Sequence, residues 1–294
     1  MTTRLLLGLP APAKVNLFLH IVGRRDDGYH DLQTAFAPID LADLLDFEAI
    51  PGGAIERDGD LVGECEQDLC LRAAHALRAA AGCRDGVRIS VEKRIPAGSG
   101  LGGGSSDAAT TLLALNRLWG LGWPRDRLAE VGRTLGADVP FFLQPGAAFG
   151  EGIGERLTPV DLPPMWLVLV HPAAHVSTAE IFAAPELTRD SKVTKISAFC
   201  AAAPLISRFA FGTNCMEPVV RARIEAVDVA LRLVAQHLPQ QGYARMSGSG
   251  SAVFAPFESP VAAAAAAERI SAEAPANWSV RVTPTLAEHP LAAW

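Results

Sequence analysis

Hydrophobic and polar positions along this chain switch between a period of two and a period near 3.6, the signatures of strands and amphipathic helices. Residues 3–9 and 13–22 read as strands joined at Pro10-Ala11-Pro12. In the second, Lys14, Asn16, Phe18 and His20 share one face, and Val15, Leu17, Leu19 and Ile21 the other. A polar turn from Gly23 to Gly28 leads to Tyr29-His30. Residues 32–50 read as strand, broken at Pro38 and at the acidic cluster Asp40 to Asp46, with a hairpin tip at Pro51-Gly52-Gly53. A helix is expected over 67–81, ended by Gly82, then a strand over 86–94 and helices over 108–119 and 124–135. Gly136 to Phe142 is a short connection, and the glycine-rich stretch 146–156 closes a first domain, residues 1–156.

The second domain, residues 157–294, opens with the apolar run Trp166 to Val170, a buried strand. A loop over 171–189 and helices over 192–203 and 217–238 follow. The glycine loop Ser247-Gly248-Ser249-Gly250-Ser251 precedes the apolar run 252–255, a helix over 260–273 and a strand over 278–283. Strands and helices thus alternate in both halves, which places the chain in the α+β or α/β class with two layers.

The stretch Pro96 to Asp107 (P-A-G-S-G-L-G-G-G-S-S-D) lies between an expected strand and an expected helix, and five of its twelve residues are glycine. Glycine lets backbone approach a ligand closely, and exposed N–H groups at a helix start favour an anion, most often phosphate. The pattern is not a Walker A loop, because the chain has no Gly-Lys pair. Gly98, Gly100 and Gly103 satisfy G-x-G-x-x-G, but Asp126, near the required distance, follows no strand. Ser105 and Ser106 suit phosphate oxygens or a Mg²⁺ ion; as an alternative they serve as helix caps.

Composition narrows the picture. With 49% apolar and 20% charged residues in 294, the chain can bury full cores. A net charge of −6 argues against a general nucleic-acid binder. The five cysteines, Cys65, Cys70, Cys83, Cys200 and Cys215, are odd in number and scattered, as in reduced cytoplasmic proteins. Their spacing matches no usual zinc ligand pair, and the metal ligands stay unassigned. No secretory signal or membrane-length apolar run is read, so a cytoplasmic protein, monomer or homodimer, is expected.

The string Pro96, Gly100, Leu101, Gly102, Ser105, Ser106, Ala108 resembles the nucleotide loop of the GHMP small-molecule kinases, a family that includes galactokinase, homoserine kinase and mevalonate kinase. Further matches are Pro12 to Leu19 (P-A-K-V-N-L-F-L), Gly28-Tyr29-His30, Gly136 to Phe142 (G-A-D-V-P-F-F) and Thr213-Asn214-x-x-Glu217-Pro218, in order from about residue 10 to 257. These are similar to the branch whose acceptor is a methylerythritol bearing a cytidine diphosphate. The resemblance implies two two-layer α/β sandwiches with a cleft between them, the first half like ribosomal protein S5 domain 2 and the second ferredoxin-like. It implies ATP with Mg²⁺, the ATP held by Pro96, Ala97, Gly98, Ser99, Gly100, Leu101, Gly102, Gly103, Gly104, Ser105 and Ser106. A second glycine loop falls at Ser247, Gly248, Ser249 and Gly250.

Phosphoryl transfer to an alcohol needs a positioned hydroxyl and neutralised charge. Asp138 can accept the hydroxyl proton, and Lys14 beside it can keep that carboxylate ionised. The resemblance implies the same pair. It also implies that Tyr29 and Phe182 sandwich the cytosine, that His30 bonds its edge, that Asn16 contacts the methylerythritol hydroxyls, and that Thr178 contacts the substrate near the base.

Overall fold

A computed structural model describes residues 4–202, 209–239 and 242–294; residues 3 and 203, at the ends of two expected elements, lie outside them. Two long strands, β1 (Leu5–Arg24) and β2 (His30–Ile50), form an antiparallel hairpin from Leu5 opposite Glu48 to Arg24 opposite His30. The expected breaks at Pro10-Ala11-Pro12 and Pro38 do not occur. Proline removes a ladder N–H, so it is tolerated where a strand edge has no partner. Among the described residues, β1 pairs only with β2 apart from an isolated bridge to Asn214. Pro38 lies between the segments of β2 that pair with β4 (44–50) and with β5 (32–36).

The first sheet is completed by β3 (Ile55–Gly59), β4 (Gly86–Glu92), β5 (Ala148–Gly152) and β6 (Arg156–Pro159), in the order β3-β4-β2-β5-β6. Residues 51–53 do not cap a hairpin: β3 runs parallel to β4 and does not return along β2. The expected division after residue 156 falls on the first residue of β6. α1 (Leu69–Ala81) starts at Asp68, whose carboxylate accepts from the N–H of Cys70 and Leu71, and ends at Gly82 with φ +64°. α2 (Gly103–Leu118) begins five residues before the expected 108, and α3 (Arg125–Arg133) follows Pro124. Helices α1 and α2 pack on this sheet, and α3 packs on those helices. A one-turn α4 (Val139–Phe142) lies within the expected connection. Glycine is a poor helix former, but a Cβ at Gly103 would meet Ile95 Cγ2 at 3.1 Å, so close packing carries the helix into the loop.

The second half contains α5 (Thr178–Ala183), α6 (Ile196–Ala201), α7 (Glu217–Arg223), α8 (Glu225–Gln236) and α9 (Pro260–Glu273). The expected helix 217–238 is two, interrupted at Ile224 in extended backbone. Its sheet is β7 (Trp166–His171), β8 (Arg245–Met246), β9 (Val253–Phe257) and β10 (Ser279–Pro284), in the antiparallel order β10-β7-β9-β8. That order, with helices between the first and second and between the third and fourth strands, is the expected ferredoxin-like arrangement.

Alternation along β1 decides what joins the halves. Ala13, Val15 and Leu17 are buried with Leu167, Leu169 and Phe254 of the second sheet, and with Ala252 just before β9, in a shared core. Lys14 and Asn16 face the other way, into a cleft. No helix among the described residues is long and apolar enough to cross a membrane.

Candidate active site

Lys14 is placed by β1 and is only 3% exposed, so its ammonium needs partners. It donates to Asn16 Oδ1 at 2.5 Å, lies 3.5 Å from Asp138 Oδ2, and sits 5.5 Å from the centre of the Phe36 ring. Asn16 is itself oriented: its Nδ2 donates to Thr34 Oγ1 at 2.9 Å, and Thr34 donates on to the Phe18 carbonyl at 2.5 Å. Asp138 comes from the residue before α4, with its side chain one-third exposed. The expected run of Lys14, Asn16, Phe18 and His20 on one face ends at Asn16. A register shift between Asn16 and Phe18 turns the strand by one residue, so Leu19 lines the cavity and Phe18 enters the shared core.

The first glycine loop rests on both halves. Gly98, Gly100 and Gly102 have φ of +62°, +75° and +75°. Leu101 O accepts from Lys14 N–H at 3.0 Å, tying the loop to β1. A Cβ on Gly100 would lie 2.1 Å from the Ser247 carbonyl oxygen, and one on Gly102 would lie 3.1 Å from Lys14 Cε. The second loop is thus the seat of the first. Ser247 Oγ donates to Gly100 O at 3.0 Å and accepts from Asn16 N at 3.2 Å. Asn214 in turn holds the second loop, donating at 2.8 Å to the carbonyls of both Met246 and Gly248, while Glu217 accepts from Met246 N at 2.8 Å. The Thr213-Asn214-x-x-Glu217 motif therefore positions the loop from behind.

A charged cluster closes the first loop at its base. Buried Asp43 of β2 accepts from the backbone N–H of Arg94 at 2.5 Å and of Ile95 at 2.8 Å, just before the loop. Lys93 Nζ bridges Asp43 at 2.5 Å and Asp107 at 2.7 Å, and Asp107 lies in the first turns of α2. One ammonium thus clamps the two ends of the loop together. Burial pushes the Asp107 carboxyl up to about 7 against the pull of Lys93, with Asp43 adding to the rise. Burial opposes the Lys93 charge, but the two carboxylates outweigh it and hold its pKa above the ordinary lysine value.

At the turn between β1 and β2, the His30 ring stacks on Phe182 with centroids 5.0 Å apart and planes 16° from parallel. Arg189 Nε donates to His30 Nε2 at 3.1 Å. Tyr29 is 61% exposed. Thr178 and Ser249 share a hydroxyl hydrogen bond at 2.6 Å, joining the start of α5 to the second loop.

Most of the expected residues meet in one cavity of about 880 Å³. Lys14, Asn16, Tyr29, His30, Asp138, Thr178 and Phe182 line it, together with Pro96 to Gly100, Gly102 to Ser105, Gly248 and Ser249. Leu101, Ser106, Ser247 and Gly250 do not line it. Leu101 is in the shared core, and Ser106 is fully buried in α2, its Oγ without a hydrogen-bond partner. Neither serine caps the helix, because the N-cap is Gly102. Sequence reasoning missed Asp43, Lys93, Asp107 and Arg189. Asp107 closes the glycine stretch and was within reach; the others are lone charges in strand or loop, which carry no pattern.

The cavity carries a buried lysine paired with a partly exposed aspartate beside a glycine loop at a helix start, the parts needed to hold a phosphoryl donor and activate an alcohol. The chain matches the family descriptions "GHMP kinases N terminal domain" over residues 68–146 and "GHMP kinases C terminal" over 196–276. It belongs to the GHMP kinases and is an ATP-using small-molecule phosphotransferase. It is 50% identical over 286 residues to the 4-diphosphocytidyl-2-C-methyl-D-erythritol kinase of Cupriavidus taiwanensis, covering 97% of this chain and 94% of that one. The enzyme of the same name from Methylibium petroleiphilum is 49% identical over 297 residues, covering 100% and 99%. A crystal structure of 4-(cytidine 5'-diphospho)-2C-methyl-D-erythritol kinase superposes with a TM-score of 0.77 at 36% identity, covering 96% of this chain and 99% of that one. Homoserine kinase from Cytophaga hutchinsonii shares the fold, with a TM-score of 0.72 at 17% identity over 98% and 96%.

Proposed function

We propose that this kinase moves the γ-phosphate of ATP to the 2-hydroxyl of 4-diphosphocytidyl-2-C-methyl-D-erythritol, a step of the non-mevalonate route to isoprenoid precursors. The observation that carries the reading is the Lys14–Asp138 pair set against the glycine loop, in a chain half identical to enzymes of that name. The phosphates lie along residues 96–105, where the N–H groups at the start of α2 favour anionic oxygens. Asp138 accepts the proton of the acceptor hydroxyl as the bond to phosphorus forms. Lys14 keeps that carboxylate ionised and offsets charge on the transferring group. Asn16, held by Thr34, orients the acceptor hydroxyls. Tyr29, Phe182 and His30 take the cytosine, and Thr178 lies near it.

Mg²⁺ accompanies the ATP and neutralises charge on its phosphates. Asp107 lines the cavity with its Oδ1 free of a hydrogen-bond partner and would offer an oxygen donor of the kind this ion takes, phosphate oxygens and water supplying the others. In this reading residues 1–156 supply the first glycine loop, Lys14, Asp138, Tyr29 and His30, and residues 157–294 supply Phe182, Thr178 and the second loop. We place the enzyme in the cytoplasm, as a monomer or homodimer.

A coupled assay of ADP formation tests the reading, with ATP and either the cytidylyl substrate, homoserine or mevalonate as acceptor. Turnover is expected with the first alone. ADP release with homoserine in preference to the cytidylyl compound would show that the acceptor is misassigned.

A further inference from the structure

Arg189, in the segment after α5, donates from Nε to His30 Nε2 at 3.1 Å. A guanidinium is always protonated and has no acceptor. The Nε2 atom is therefore the acceptor, the ring is neutral, and its one proton sits on Nδ1. Arg189 spends three of its four remaining donors on the carbonyls of Phe182 at 2.9 Å, Ala184 at 2.7 Å and Leu187 at 3.0 Å. The same side chain thus fixes the tautomer of His30 and the backbone that presents Phe182. The stack on Phe182 fixes the plane of the imidazole. The ring lines the cavity and is 8% exposed.

Resting on the cytidylyl reading, we propose that Arg189 is a specificity-determining positioning residue: it holds His30 as the neutral Nδ1–H tautomer, so that the ring donates to an acceptor on the cytosine edge. Cytosine offers a lone pair at N3 beside the O2 carbonyl. Uracil carries a proton at N3, so the same donor meets another donor. A site built around one such hydrogen bond rejects the mismatched analogue strongly, because a buried donor is left unpaired. Burial, then Arg189, then Arg24 across the hairpin turn, all disfavour a second proton on His30. The donor pattern therefore persists below the usual histidine range.

The test reads the tautomer directly. Full-length protein with ¹⁵N-labelled histidine is examined by long-range ¹H–¹⁵N correlation. His30 is expected to show a protonated Nδ1 and an unprotonated Nε2 at pH 8 and to keep that form to lower pH than an ordinary histidine. In Arg189→Met the signals should move toward the Nε2–H form and titrate nearer 6.5. In kinetics, Arg189→Met should raise KM for the cytidylyl substrate about 10- to 100-fold while KM for ATP stays within about twofold. The wild type should prefer the cytidylyl over the uridylyl compound by roughly 10²-fold or more, and the variant should lose most of that preference. Arg189→Lys, which keeps the charge and can still donate to Nε2, should restore part of both.

An Nε2-protonated His30 in the wild type overturns the proposal. So does a wild type indifferent to cytosine against uracil, or an Arg189→Met that changes neither signal nor preference. The wild-type measurements need no variant to fold. If the wild type does not phosphorylate the cytidylyl compound at all, the functional reading fails and takes the base specificity with it, whatever the tautomer.

Discussion

Replacing Lys93 with methionine keeps the side chain's length and removes the one cation between Asp43 and Asp107. In the native structure its ammonium lies 2.5 Å from one carboxylate and 2.7 Å from the other. The Asp43 side chain is wholly buried and that of Asp107 is 7% exposed, so neither can turn to water. Removing one partner from a buried ionic group costs about 3–5 kcal/mol, because an uncompensated charge is left behind. The cost should depend on pH, and its sign follows from proton binding. Asp107 already sits at about 7, above its ordinary 3.8, and losing Lys93 takes away the group that pulls it down. Between the unfolded and folded values the folded state binds more protons than the unfolded one, so stability falls as pH rises. The deficit of Lys93→Met should thus be larger at pH 8 than at pH 5. Urea unfolding followed by tryptophan fluorescence at both pH values measures it. Because the cluster clamps both ends of the glycine loop, KM for ATP should rise more than KM for the acceptor. A loss below about 1 kcal/mol at pH 8, or a deficit that grows on acidification, would refute the clamp as described.

Asp138→Asn should lower kcat by about 10²- to 10⁴-fold with little change in ATP binding, since it removes the proton acceptor and keeps the shape; unchanged ADP formation would remove Asp138 from the chemistry. Gly100→Ala places a methyl 2.1 Å from the Ser247 carbonyl at a φ of +75°, so the two loops must part; ATP titration calorimetry should show binding lost, and wild-type affinity would contradict the packing. Phe182→Ala should raise KM for the cytidylyl substrate by about 5- to 150-fold, the worth of one base–aromatic stack, with KM for ATP nearly unchanged. Equal effects on both substrates would reject the stacking role.

Elements whose signals are local were legible to the residue or nearly so. Helix α9 matches its expected span because Pro260 starts it and Ser259 Oγ caps it, accepting from Ala262 N at 3.2 Å. Gly82 ends α1 where expected, in left-handed backbone. The misreadings lie where tertiary partners decide. Pro10, Pro12 and Pro38 look like breaks until the hairpin carries them through, opposite Leu44, Ala42 and Lys14. Gly103 and Gly104 look like loop until packing against Ile95 and Leu69 draws them into α2.

The site divides along the same line. Short strings of residues, each close in the chain, already singled out the glycine loop, Lys14, Asn16, Tyr29-His30 and Asp138, which the fold brings into one cavity. What the string cannot contain is who supports them. Asp43 reaches Lys93 across 50 residues, Asn16 meets Ser247 across 231, and Arg189 finds His30 across 159. Such partners are chosen by burial, where an unpaired charge or lone pair is too costly to leave, and burial exists only once the two sheets have closed on each other.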